Sequence, residues 1–188
     1  MGVLSPAECQ ALLRRIWQGL VQAAKSQAAH LREQTPEHRA IELLVAALET
    51  GRCHLQPHAP HRSPRPRWQD EEWERFGWRR IQKKSGPGWS PRGPQIGWAD
   101  ERYVYLVPSQ AYRIVARLAG GDGALGVTES RLGKQLAEAG LLLRGNDGRL
   151  TRRGSRKWPD RPRVWVIDRR KIPEWAPRKT RSQEEQAA

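Results

Sequence analysis

The chain has 188 residues, enough for one ordinary domain or two small ones, which excludes a large multidomain enzyme. It holds 34 Lys and Arg against 20 Asp and Glu, a formal net charge of +14 and a pI near 10.9, so nucleic acid is the first partner to consider. Two cysteines, Cys9 and Cys53, cannot build a disulfide framework, no apolar run approaches the ~18 residues of a membrane span, and no secretory leader pattern opens the chain. A cytoplasmic protein without a membrane partner is the expectation.

The positive charge is unevenly placed. Residues 1–56 are close to balance at +1, residues 57–98 reach +5, residues 99–143 are neutral, and residues 144–181 hold +10. Arginine outnumbers lysine 27 to 7, as a GC-rich coding sequence would produce by itself. Such a bias does not set a neutral segment beside a strongly basic one.

In chain order, Ser5 and Pro6 open a helix whose Leu12, Leu13, Ile16, Trp17, Leu20, Val21 and Ala24 recur at helical spacing, to about Leu31. Thr35 and Pro36 start a second helix with Ile41, Leu44, Val45 and Leu48 in one stripe, ended by Gly51. The two predict an N-terminal helical hairpin over residues 1–56, too thin to hold a core without leaning on a partner, another copy or the rest of the chain. "QPHAPHRSPRPR" and "SGPGWSPRGP" have linker composition, so residues 57–95 are expected to form an irregular Pro/Trp-rich connector. Asp70, Glu71 and Glu72 would open one short helical turn within it.

From Ile96 the pattern predicts a second unit. "RYVYLVP" reads as a strand and "PSQAYRIVARLAG" as a helix; Thr128 caps a further helix, "ESRLGKQLAEAG". "LLLR", the "GNDG" turn and "RLTRR" predict a hairpin, and "RVWVID" a last strand. The sum is an α+β protein with a C-terminal winged-helix-like domain over residues 96–172 and a disordered tail over 173–188.

The segment "QIGWADERYVYLVPSQAYRIVARLAGGDGALGVTESRLGKQLAEAGLLLRGNDGRLTRR", followed by "RPRVWVIDRRKI", resembles the C-terminal winged-helix-like region of phage- and plasmid-type primase-helicase proteins. "EHRAIELLVAALETGRCHL" resembles the helical segment that precedes that region in the family, so the likeness spans residues 36–172. It implies the accessory tail of a mobile-element replication protein standing without its ATPase domain, either a free-standing DNA-binding module or the remnant of a broken gene. The chain has no G-x-x-x-x-G-K-[ST] phosphate loop, and "GGDGALG" lacks the lysine and hydroxyl that would reach a triphosphate and its magnesium.

Candidate contacts to nucleic acid follow from the basic segment. Arg144, Arg149, Arg152, Arg153, Arg156, Lys157, Arg161 and Arg163 lie within twenty residues, and guanidinium groups bind phosphate oxygens in pairs. Arg131, Lys134 and Gln135 sit where a recognition helix offers side chains to base edges. Trp158, flanked by Lys157 and Pro159, is the best placed tryptophan for stacking on an unpaired base, whereas Trp98 and Trp165 read as core. Cys53, His54, His58 and His61 are competent zinc ligands, but they lack knuckle spacing and lie in a proline-rich stretch. The run of Asp70, Glu71, Glu72 and Glu74 reads as solvated or paired with Arg79 and Arg80 rather than as a nuclease centre.

The expected function is non-catalytic DNA binding through the basic wing, with DNA preferred to RNA, no cofactor and no metal. The alternative is an interaction module whose N-terminal helices dock on a replication ATPase, helicase or primase.

Overall fold

The computed structural model describes residues 10, 13–23, 35–58, 70–83, 86–120, 125–145, 147–156 and 158–176. Helix α1 (residues 13–23) is followed by α2 (Pro36–Glu49), β1 (His54–Pro57), α3 (Asp70–Arg75), and the strands β2 (Trp78–Lys83), β3 (Gly86–Pro91), β4 (Gln95–Ala99) and β5 (Tyr103–Leu106). Then come α4 (Pro108–Ala119), α5 (Glu129–Glu138), β6 (Arg152–Arg153), β7 (Arg163–Asp168) and two 3-10 turns, Arg169–Lys171 and Pro173–Trp175. The fold is α+β.

A five-stranded sheet in the order β1-β4-β5-β7-β6 organises the core. β1 runs parallel to β4 and the other neighbours are antiparallel. Where β1 meets β4 the register skips Ile96, so Gln95 opposes His54 and Gly97 opposes Leu55. That extra residue lets Ile96 and Ala99 share one face of the sheet although three positions separate them. On this face Ile96, Val104, Leu106, Trp165 and Ile167 pack with Leu44 and Leu48 of α2, Ile114 and Val115 of α4, and Leu132 and Leu136 of α5. The second expected helix of the N-terminal pair therefore leans on the rest of the chain, and its apolar stripe is part of the main core. Helix α5 begins as the sequence suggested, with the Thr128 hydroxyl accepting the amide of Arg131 at 3.4 Å. Gly133 brings it close to the sheet, since a Cβ there would stand 3.1 Å from the Trp165 ring.

The other face of the sheet is aromatic. Alternation along β5 and β7 turns Tyr103, Tyr105, Val164 and Val166 away from the helices, and Trp98 and Trp158 join them in a second buried cluster.

Three expectations are corrected. The connector is not mostly irregular: β2 and β3 pair along six positions, and Trp89 of β3 stacks on Trp73 of α3 at 6.0 Å between ring centres. Aromatic anchors supply there the packing that a Pro/Gly-rich composition conceals. The unit closes the outer edge of β1, with the Leu55 amide donating to the Phe76 carbonyl at 3.0 Å and the Trp78 indole donating to the Leu55 carbonyl at 2.8 Å. Gly77 makes the join possible: at φ 86° its missing Cβ would lie 2.1 Å from the Cys53 carbonyl.

The second correction concerns the hairpin of "LLLR" with "RLTRR". The order of helix, strand, loop and strand is kept, but the two strands do not pair with each other. Leu142 bridges Ile167, the Leu143 amide donates to Val166, and Arg152 and Arg153 oppose Val164 and Arg163, so both flanks lie along the same side of β7. They form one interrupted edge strand, and the described residues 144, 145 and 147–151 lie between its halves, outside the pairing. Leu142 and Leu143 are needed by the two hydrophobic clusters, which outweighs local hairpin closure.

Third, the chain is ordered past Ile172. Pro173–Trp175 is a 3-10 turn and Trp175 has no exposure, because its indole fills the main core; the remainder of the expected tail, residues 177–188, lies outside the described residues.

Arg169 ties these parts together. Its side chain has no exposure, and it donates through Nε to the Trp175 carbonyl at 2.8 Å, through Nη1 to the Asp100 carbonyl at 2.7 Å and through Nη2 to the Glu72 carboxylate at 2.6 Å. Its guanidinium also lies 5.0 Å from the centre of the Phe76 ring. Removing one partner of a buried ion pair strands the other and typically costs about 3–5 kcal/mol. Arg169→Met is therefore expected to destabilise the fold by that order in urea denaturation, and Glu72→Gln by less, because the glutamine carbonyl can still accept from Nη2 and the Trp175 and Asp100 carbonyls keep their bonds to the guanidinium.

Candidate nucleic-acid interface

The basic residues singled out from the sequence divide between two layers. Arg131 and Lys134 are exposed on α5 and Gln135 is half-buried, all in the helical layer. Arg152 opposes Val164, whose side chain belongs to the aromatic cluster, so Arg152 lies on the far side of the sheet from α5. Arg152 and the α5 residues therefore do not share one recognition surface.

The edge of the sheet does gather arginines. Arg144, Arg149, Arg152, Arg153, Arg156 and Arg163 are all exposed. Arg153 and Arg163 are directly opposed across the β6–β7 pair, an arrangement of like charges that is destabilising unless an anion joins them. Arg152, Arg153 and Arg163 make no ion pair among the described residues; Arg152 donates to the Arg144 carbonyl and Arg163 to the Thr151 hydroxyl at 3.4 Å. A shallow depression of about 380 Å³ between Gly145 and these arginines contains one carboxylate, Asp147, which is paired with Arg149 at 3.4 Å. Lys157 lies outside the described residues. Arg161 is half-buried at φ 42°, and its Nε is buried without a hydrogen-bond partner among the described residues.

Trp158 is not free to stack on a base as expected. It is buried, 6% exposed, with its ring parallel to Trp98 at 4.2 Å and 4°, and its indole N–H donates to His58 Nδ1 at 3.1 Å. The basic loop folds back over the aromatic face because this indole finds its own stacking partner there. Gly154 allows the return, since a Cβ would sit 2.6 Å from the Trp158 ring. Trp98 and Trp165 are core, as expected.

The fold of the loop also builds a cleft that the sequence did not announce. It has a volume of about 320 Å³ and is lined by His58, Tyr103, Tyr105, Arg152, Arg153 and Trp158, with Gly154 and Ser155 at its margin. The one available signal was the alternation in "RYVYLV", which puts Tyr103 and Tyr105 on one face. Burial, then the hydrogen bond to Asp100 at 2.7 Å, raise the pKa of the Tyr105 phenol, so the ring stays neutral.

The suggested zinc ligands are dispersed. Cys53 is buried in the main core, where burial pushes its thiol up to about 12; His54 Nδ1 donates to the carbonyls of Arg92 and Gly93, and His58 accepts from Trp158. His61 lies outside the described residues, among which no three His, Cys, Asp or Glu side chains gather as a metal site. In the acidic run, Glu72 pairs with Arg169 at 2.6 Å.

No protein family, curated protein or solved structure matches this chain. Among the described residues no helix is long and apolar enough to cross a membrane.

Two outcomes follow from this geometry. Trp158→Ala removes a buried indole and its stack, so stability should fall by about 3–5 kcal/mol, with the near-ultraviolet circular dichroism of the coupled indoles lost in parallel. Asp168 accepts from Arg170 at 2.6 and 3.0 Å, and these bonds hold its carboxyl from the ordinary 3.8 down to about 2. A depressed carboxyl stabilises the fold fully above its ordinary value and loses that contribution as pH falls towards 2. Melting temperatures between pH 4 and pH 2 should accordingly fall less steeply for Asp168→Asn than for the unaltered chain.

Proposed function

We propose that this protein is a non-catalytic DNA-binding module that holds phosphates along its exposed β6–β7 edge. The observation that supports this reading most strongly is the opposed pair Arg153 and Arg163 beside Arg152, three exposed guanidiniums without an ion pair among the described residues. Like charges set across a strand pair raise the energy of the free protein, and a bridging phosphate relieves it. The concentration of +10 in residues 144–181 extends the same attraction along the chain. The resemblance of residues 36–172 to primase-helicase C-terminal regions suggests a setting in mobile-element replication.

A second reading has its own observation. Leu13, Ile16, Trp17 and Leu20 recur at helical spacing on α1, and each is between 50% and 68% exposed. An apolar stripe of this kind suits a partner helix, in keeping with docking on a replication ATPase or primase.

Fluorescence anisotropy with a labelled oligonucleotide tests the preferred reading. Binding should weaken with salt at a slope of about 0.7–0.9 per phosphate neutralised, and Arg153→Ala or Arg163→Ala should each lower the slope by about one. The single reversal Arg153→Glu should weaken binding more than Arg153→Ala while leaving the melting temperature unchanged or raised, because it sets opposite charges across the strand pair. Undetectable binding of the unaltered protein to both single- and double-stranded DNA at low salt refutes the phosphate reading in favour of the docking one.

A further inference from the structure

We propose that the cleft on the aromatic face of the sheet takes one unpaired nucleotide, its base against the tyrosines and its phosphate at Arg152 and Arg153. The inference rests on the reading of the β6–β7 edge as a phosphate-binding surface and adds to it a preference for single-stranded DNA.

The chemistry of the walls narrows the ligand. At about 320 Å³ the cleft lies at the small end of ordinary ligand pockets, sized for one compact group rather than a peptide. Its lining includes three aromatic side chains, Tyr103, Tyr105 and Trp158, together with the His58 imidazole, so a flat unsaturated ring is favoured over an aliphatic one. Aromatic pockets can also attract cations, but two arginines line this one and no carboxylate does, which repels a cation and favours an anion. A ligand that is flat and aromatic at one end and anionic at the other satisfies both halves of the lining, and a nucleotide is such a ligand.

Two polar atoms of the aromatic walls are already engaged. The Tyr105 hydroxyl donates to Asp100 at 2.7 Å and the Trp158 indole N–H to His58 at 3.1 Å. The walls therefore offer ring surface more than hydrogen-bonding edges, which suits stacking without discrimination among bases. A paired base, held inside a duplex, cannot reach such a recess without being extruded at the cost of its stacking and pairing. The cleft and the arginine edge share Arg152 and Arg153, so one backbone can follow the edge while a single base turns into the recess.

The experiment compares a labelled 15-mer of oligo-dT with a duplex of the same length in anisotropy titrations at one salt concentration. Tyr103→Leu should weaken oligo-dT binding about five- to a hundredfold, as loss of a stacked base does, with duplex binding changed less than twofold; Tyr103→Phe should restore it. Free 5′-dTMP should displace oligo-dT from the unaltered protein at a concentration at least tenfold lower than deoxyribose 5-phosphate, which has the same sugar and phosphate without the base. This competition needs no variant, so a Tyr103→Leu chain that fails to fold does not blunt the test. Equal competition by the two phosphates, or oligo-dT binding indifferent to a folded Tyr103→Leu, overturns the cleft alone and leaves the phosphate reading standing. No binding of either DNA by the unaltered protein overturns both.

Discussion

A guanidinium with no contact to water is costly to bury, and Arg169 meets that cost with three directed hydrogen bonds and an aromatic face. Its partners come from three places far apart in the chain: Glu72 in α3, Asp100 at the turn between β4 and β5, and Trp175 beyond the last strand. Two of the three acceptors are backbone carbonyls, so the bond fixes the path of the chain and not only the position of side chains. The Arg169 contact ties the Trp-rich hairpin unit and the C-terminal turn to the sheet, beside the direct bonds by which that unit covers the outer edge of β1.

The sheet is asymmetric in what covers it. One face is capped by α2, α4 and α5 in an ordinary aliphatic core, whereas the other is covered by a loop that brings a single large indole. Because a loop cannot bury a whole sheet face, part of that aromatic surface remains open, and the arginines of the neighbouring edge strand border the opening. Loop coverage thus puts apolar ring surface and positive charge side by side, a combination seldom available on a helix-covered face.

Much of this was legible in the sequence. Helices α2, α4 and α5 and the strands β5 and β7 follow from apolar spacing, the Thr128 cap and β-branched or aromatic content, and Trp98 and Trp165 were identifiable as core. What escaped were features fixed by distant partners. Trp158 looked exposed because its neighbours Lys157 and Pro159 are polar or turn-forming, yet its burial depends on Trp98, sixty residues earlier. The β2–β3 hairpin was hidden by proline and glycine, which report backbone preference but not the Trp73, Trp78 and Trp89 contacts that hold the unit together. "LLLRGNDGRLTRR" contains every local signal of a hairpin, and only the competition of β7 for both of its flanks decides against one. The basic edge was legible as a list of arginines; the cross-strand opposition of Arg153 and Arg163 required the register.

That interrupted edge strand has a consequence for how the chain can change. The segments before and after residues 144–151 are both anchored on β7, so the sheet fixes the ends of the loop. Lengthening a loop between ends already held together costs little, since the closure entropy grows only with the logarithm of length. Residues can be inserted or removed there without shifting a strand register, while the arginines that flank the loop keep their places. The span 144–151 is the point at which this fold can evolve a longer or differently charged arm at small thermodynamic expense.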